Sequence, residues 1–163
     1  MRKPPYNRTA HLRSLEGRQF THFGKGRHFN DDLYHGLVAP TLLSNLLTET
    51  WQHDRKRVIG PSCKQFTVED VTYINVSMIK FGVDFKNARD HAKFAIGKSA
   101  SSPYVCIGDI NREVRSLKSL KLFILDSTRK GKCYDFYEST KISDCGNRTV
   151  VNGETFAKIY IFC

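Results

Sequence analysis

Two kinds of apolar spacing divide the chain. From Asp31 a helical region begins, with Asn30, Asp31 or Asp32 available as its cap. Pro40 then suits the first turn of a second helix, in which Leu42, Leu43, Leu46, Leu47 and Trp51 form an apolar stripe directed at a core. Gly60-Pro61-Ser62 breaks that pattern. Beyond it come short β-rich runs at Val71 to Ser77, Met78 to Val83, His91 to Ile96, Tyr104 to Ile110 and Leu120 to Leu125. A last run, Ala157 to Phe162, suits an added edge strand. Residues 1 to 11 are basic, contain prolines and read as a loose segment, which leaves 12–163 as one domain. The expected fold class is α/β, a mixed β-sheet flanked by helices, with no internal repeat.

Composition narrows the class. At 163 residues with 40% hydrophobic positions, the chain is one domain long and can bury a real core. The net charge of +10 predicts attraction to polyanions, with nucleic acid and anionic membrane surfaces as candidates. No run approaches the roughly 18 apolar residues of a membrane span, so stable membrane insertion is not expected. Arg112, Arg115, Lys118, Lys121, Arg129, Lys130 and Lys132 form the densest basic stretch and could line the approach to a site.

The candidate chemistry sits on two apolar segments. In Asp90-His91-Ala92-Lys93-Phe94-Ala95, an extended backbone would set His91 and Lys93 on one face, two residues apart. Histidine can attack phosphorus as a neutral ring or deliver a proton as the imidazolium, and lysine can neutralise non-bridging oxygens as charge builds. Asn111, after Val105-Cys106-Ile107-Gly108-Asp109-Ile110, can add an amide donor. No metal or cofactor is expected, since HExxH, paired CxxC and carboxylate clusters at ligand spacing are absent from the sequence. Asp31 and Asp32 read as caps rather than a catalytic pair. Asp90 adjoins His91, so in a strand it would face away and is a poor choice to orient the imidazole. Alone, a His-x-Lys on a half-exposed strand is most often a solvated face.

These segments resemble the second catalytic motif of the deoxyribonuclease II family, Asp-His-Ser-Lys-Trp, and its following strand, Cys-Ile-Gly-Asp-Met-Asn-Arg. Here they read DHAKFA and CIGDINR. Upstream, Phe29-Asn30-Asp31-Asp32-Leu33-Tyr34-His35-Gly36 is close to the family's Phe-Gly-Asp-Asp-Leu-Tyr-Ser-Gly, and Asn45-Leu46 and Trp51 continue the likeness, clearest over residues 12–112. The resemblance implies a phospholipase D-like half-domain, with Gly108 and Asn111 keeping the Gly-x-x-Asn spacing. It also implies metal-independent cleavage of DNA at acid pH through a phosphohistidine on His91, aided by Lys93 and Asn111, giving 3'-phosphate ends. Family members pair two His-x-Lys half-sites, whereas this chain has one. His11, His22, His28, His35 and His53 are followed two positions later by Arg, Gly, Asn, Leu and Arg. A homodimer or a missing N-terminal half would have to supply the second imidazole. The alternative is a nuclease-like protein without turnover that binds nucleic acid or another partner. Phe94, Ala95 and Ala92 depart from the family motif without removing the catalytic pair.

Cys63, Cys106, Cys133, Cys145 and Cys163 show no zinc spacing and suit a disulfide framework, with one left over. The resemblance implies Cys63 with Cys145 and Cys106 with Cys133, and a lysosomal or secreted location. The sequons at Asn7, Asn75 and Asn147 agree with a glycosylated secretory protein. The N-terminus, Met1-Arg2-Lys3-Pro4-Pro5-Tyr6, lacks an apolar segment of signal-peptide type, so these markers are expected to belong to a truncated product or an incomplete gene model.

Overall fold

The computed structural model describes residues 6–26, 28–54, 56–74, 85–98, 104–114, 122–126, 134–137, 140–143, 145 and 159–161. Twelve strands are found among them: β1 (Asn7–Arg13), β2 (Gln19–Lys25), β3 (Leu46–Glu49), β4 (Ser62–Cys63), β5 (Thr67–Ile74), β6 (Phe85–Lys86), β7 (Phe94–Gly97), β8 (Tyr104–Gly108), β9 (Leu122–Asp126), β10 (Tyr134–Tyr137), β11 (Thr140–Ser143) and β12 (Ile159–Ile161). Ten form one mixed sheet in the order β1-β2-β9-β8-β7-β3-β5-β11, with β4 and β6 also paired to β5. β3 runs parallel to β5 and antiparallel to β7. Helical structure is brief: a π-helical turn, Tyr34–Val38, runs into α1 (Ala39–Leu42), and a 3-10 turn covers Asn87–Arg89. The expected α/β class holds, with the sheet dominant.

The helical segment starts at the predicted aspartates. Asp32 Oδ1 accepts the Tyr34 N–H at 3.1 Å, and Asp31 Oδ1 accepts the Asp32 N–H at 2.7 Å. Gly36 makes room for that carboxylate: a Cβ would fall 2.5 Å from Asp31 Oδ2, so the Asp31 side chain would have to move. Leu33, Tyr34, Val38 and Ala39 then pack on Phe23, Leu46, Val68, Ala95, Cys106 and Ile110 to form the core. The Tyr34 hydroxyl donates to the Ile110 carbonyl at 3.0 Å, tying the helical segment to the chain just after β8.

The second helix ends far short of Trp51. Leu43 adopts φ +52°, and the Ser44 N–H reaches back to the Ala39 carbonyl, closing α1 in the manner of a Schellman cap. Leu46 to Glu49 instead form β3, whose four residues are all buried between β5 and β7. A strand covered on both faces is apolar without alternating, which is why it read as a helical stripe. Residues 7–11, expected to be loose, form most of β1 and pair with β2 in full register. The run Ala157 to Phe162 does contain a strand, but β12 pairs with β10 in a separate two-stranded sheet rather than extending the main one. Met78 to Val83 lie outside the described residues, as do Asn75 and Asn147.

The Cys63–Cys145 bridge is formed. The expected Cys106–Cys133 bridge is not: Cys106 is a free thiol with no exposure, in β8 against the core, where burial pushes its pKa far up and keeps it protonated. Cys133 lies outside the described residues.

Arg112 also departs from expectation. Instead of lining a basic approach, it is fully buried, with Nε 2.9 Å from Asp32 Oδ2 and one terminal nitrogen 2.6 Å from Asp70 Oδ1. Its other terminal nitrogen donates to the Gly60 carbonyl and Ser62 Oγ, both at 3.2 Å. Burial disfavours the guanidinium charge, but Asp32 and Asp70 outweigh it and raise its pKa. Burial likewise raises the Asp70 pKa despite the arginine beside it. The remaining six residues of that basic stretch lie outside the described residues.

Candidate active site

β3, β7 and β8 place the predicted residues at one end of the sheet. The last β3–β7 pair is Glu49 with Phe94, so the segments that follow β3 and precede β7 leave the sheet at the same end. β8 arrives on the other flank of β7, where the Gly108 N–H donates to the Lys93 carbonyl at 3.0 Å. β7 begins at Phe94, so His91 and Lys93 precede the strand instead of lying in it. The common face expected from strand alternation is therefore replaced by a shared platform, the Trp51 indole.

Trp51 has φ +46°, held by its N–H donating to Glu49 Oε1 at 3.2 Å and its Nε1–H donating to the Ala88 carbonyl at 3.2 Å. The His91 ring centroid lies 3.8 Å from that of the indole, and Lys93 Nζ sits 5.2 Å from the indole, within cation–π range. Lys93 Nζ also donates to the His91 carbonyl, which uses one of its three donors. Among the described residues neither ring nitrogen of the exposed His91 has a hydrogen-bond partner. Asp90 does not orient it: Asp90 Oδ1 accepts the Ala92 N–H at 2.9 Å, shaping the turn that carries the histidine.

Asn111 belongs to the segment after β8 that abuts this platform. The Arg112 N–H donates to Thr50 Oγ1 at 3.2 Å, one residue before Trp51, and the Arg112 side chain anchors the segment from below through its two carboxylates. Asn111 Oδ1 is buried and, among the described residues, accepts no hydrogen bond. His91 and Lys93 thus meet on one ring, and Asn111 is held on the neighbouring strand end.

Three contributors were not singled out from the sequence. Glu49 is fully buried under Trp51. Burial is the main cause that raises its pKa to about 8, opposed by the Trp51 N–H and reinforced by Asp90 and Asp70. His53 stacks on the same indole, centroid to centroid 4.0 Å with 19° between planes. Its Nδ1 lies 3.0 Å from Oε1 of the buried Glu113. No short motif links residues 49, 53 and 113; only the packing at this sheet end does. A cleft of about 410 Å³ at the helix start, bordered by Asn30, Asp31, His35, Pro61 and Lys64, includes none of these residues. Among the described residues no three metal-ligating side chains converge, and no helix is long and apolar enough to cross a membrane.

The sequence pattern of the family described as Deoxyribonuclease II matches residues 1–124. Cell death-related nuclease 6 of Caenorhabditis elegans is 38% identical over 119 residues, covering 69% of this chain and 32% of that protein. Deoxyribonuclease-2 of Caenorhabditis elegans is 39% identical over 109 residues, covering 66% and 28%. Deoxyribonuclease-2-beta of Mus musculus is 30% identical over 113 residues, covering 69% and 31%. The chain spans about a third of the length of these relatives.

Proposed function

The chain belongs to the deoxyribonuclease II family, and on that premise we propose that it forms the His91 half-site of an acid endonuclease that hydrolyses DNA phosphodiesters without a metal. A neutral His91 nitrogen attacks phosphorus, forming a phosphohistidine as the 5'-oxygen leaves, and water then releases a 3'-phosphate end. Lys93 and Asn111 bind the non-bridging oxygens, where negative charge develops. The observation that carries this reading is the convergence of an exposed, unencumbered His91 ring and the Lys93 ammonium on Trp51. The net charge of +10 supports DNA as the polyanion drawn to it. The Cys63–Cys145 disulfide supports an oxidising compartment, lysosomal or secretory.

The test is nicking of supercoiled plasmid at pH 5 in EDTA. Wild type should produce 3'-phosphate ends, and His91→Ala should lose at least 1,000-fold in rate, on the order expected for removing a nucleophile. Equal cleavage by the two proteins would refute the assignment. A second reading, a nuclease-like DNA binder without turnover, is favoured by the single His-x-Lys. It predicts salt-sensitive DNA binding by wild type and His91→Ala alike, with no nicking.

A further inference from the structure

The chemistry assigned to His91 and Lys93 leaves the third ring on this platform without a task. His53 stacks on the Trp51 indole at 4.0 Å, with only 19° between the planes. One face of the imidazole is therefore covered by the indole, yet 44% of the side chain is exposed. The open surface has to be the outer face and the rim, a flat aromatic plate turned to solvent. His91 stands 3.8 Å from the same indole, so anything stacked on His53 lies at most three ring-to-ring steps from the nucleophile.

The plate is fixed as well as open. The His53 backbone N–H donates to the Trp51 carbonyl at 2.9 Å, and Nδ1 lies 3.4 Å from the same oxygen and 3.0 Å from Oε1 of the buried Glu113. Glu113 is itself held in place: it bridges to Val58, and the residues on either side of it share backbone hydrogen bonds with Arg57 and Ile59. An exposed side chain normally loses rotamer freedom when a ligand packs on it, and that loss weakens binding. His53 has already given up that freedom in folding, so a flat ligand can stack on it at little further cost. Among the flat groups that a cationic, phosphate-directed site meets, the nucleobase is the one every substrate strand carries beside each phosphodiester.

We propose that the outer face of His53 is a nucleobase subsite, on which an unpaired base near the phosphodiester held at His91 stacks. The inference rests on the reading of DNA as the ligand of this site. A base inside a duplex has both faces covered by its neighbours, so only a base turned out of the helix, or one in a single strand, can use the plate. Every base has a π-face, so the subsite adds affinity and register along the strand without choosing a sequence. Lys93 and Asn111 hold the strand by its phosphate, and His53 holds it by a base a short distance along.

The experiment separates stacking from phosphate attraction with two single-stranded probes of equal length and charge: oligothymidylate, and the same backbone carrying abasic residues throughout. Both have phosphorothioate linkages to resist cleavage and an end label for anisotropy. Wild type should bind the thymidylate about tenfold more tightly than the abasic strand, the size expected of one base–aromatic stack. His53→Leu keeps the indole covered but offers no flat ring; it should reduce that preference to less than about twofold and leave abasic affinity unchanged. His53→Phe should retain the preference. A single 2-aminopurine in the thymidylate should be quenched on binding to wild type and His53→Phe, and not to His53→Leu. Preference that survives in His53→Leu, or that is lost in His53→Phe, would overturn the subsite. Equal binding of the two probes by wild type would also overturn it and leave DNA as the ligand, whereas no binding of either probe at low salt would overturn the underlying reading as well.

Discussion

Replacing Glu49 with glutamine should remove a pH dependence that the fold otherwise carries. The carboxyl has no exposure, and its pKa rises from 4.5 to about 8, chiefly through burial and secondarily through Asp90 and Asp70, against the opposing Trp51 N–H. A carboxyl raised in this way binds its proton more tightly in the folded state. Its contribution to stability is therefore complete below the unfolded value and is lost as pH rises from about 4.5 through 8. Between pH 5 and pH 9 the loss integrates to about 4 kcal/mol. Glutamine stays neutral throughout and retains an oxygen to accept the Trp51 N–H. Urea denaturation of both proteins at pH 5 and pH 9 measures the difference directly. The Glu49→Gln variant should be close to wild type at pH 5 and more stable at pH 9 by roughly that amount. Subtracting one protein from the other cancels the titrating groups that do not interact with Glu49; Asp70 and Asp90, which do, contribute as part of the same coupled set. A stability difference that stays constant between the two pH values would refute the argument. The Trp51 N–H donates to the same carboxyl and favours its ionised form, so the bond that fixes the Trp51 backbone is strongest where Glu49 is charged, on the alkaline side.

Arg112→Leu strands the buried carboxylates of Asp32 and Asp70 and should cost about 3–5 kcal/mol in urea denaturation; adding Asp32→Asn and Asp70→Asn should recover most of it, and no recovery would assign the loss to packing instead. Reducing the Cys63–Cys145 bridge reopens a separation of 82 residues and should lower stability by up to about 4.5 kcal/mol on the chain-entropy estimate, read as a shifted denaturation midpoint with and without reductant. DNA affinity should fall at least tenfold between 50 and 200 mM salt, by the order expected for several phosphate contacts, and equally in wild type and His91→Ala; salt-insensitive binding would remove DNA as the default partner.

Much of the fold was legible where local signals were unopposed. The aspartates of Asn30-Asp31-Asp32 do cap the helical segment, and strands occur within Val71 to Ser77, Tyr104 to Ile110 and Leu120 to Leu125 at shifted boundaries. The segment after Pro40 was misread for a specific reason. Its helix stops at Leu43, a leucine in the left-handed region where glycine is the usual signal, at a cost of roughly 1 kcal/mol. No glycine or proline marks the stop, and Leu46 to Glu49 are all buried, so Leu42, Leu43, Leu46 and Leu47 kept their helical spacing on paper. What overrides that spacing is tertiary: β5 and β7 each offer β3 a full edge of hydrogen bonds, and Asn45 adds to the break by accepting the Thr67 N–H through its side chain.

The site divides along the same line. His91, Lys93 and Asn111 could be named because they lie in short contiguous motifs, although the sequence misjudged how they meet, on Trp51 instead of on the face of a strand. Glu49, His53 and Glu113 could not be named, because their relation runs through one indole and spans 64 positions of sequence from first to last. Counting His-x-Lys motifs finds only repeats of the first motif; it gives no sign that His53 stacks on the same indole as His91 or lies against Glu113. Trp51 is the residue that converts one kind of information into the other. Its positive φ turns the chain back over the end of β3, and the same turn that strains the backbone brings His53 within stacking distance of the ring His91 rests on. A strained tryptophan makes little sense as core packing alone, since an ordinary conformation could bury the ring without that cost. What the turn adds is contact with two imidazoles, His91 at 3.8 Å and His53 at 4.0 Å from the indole.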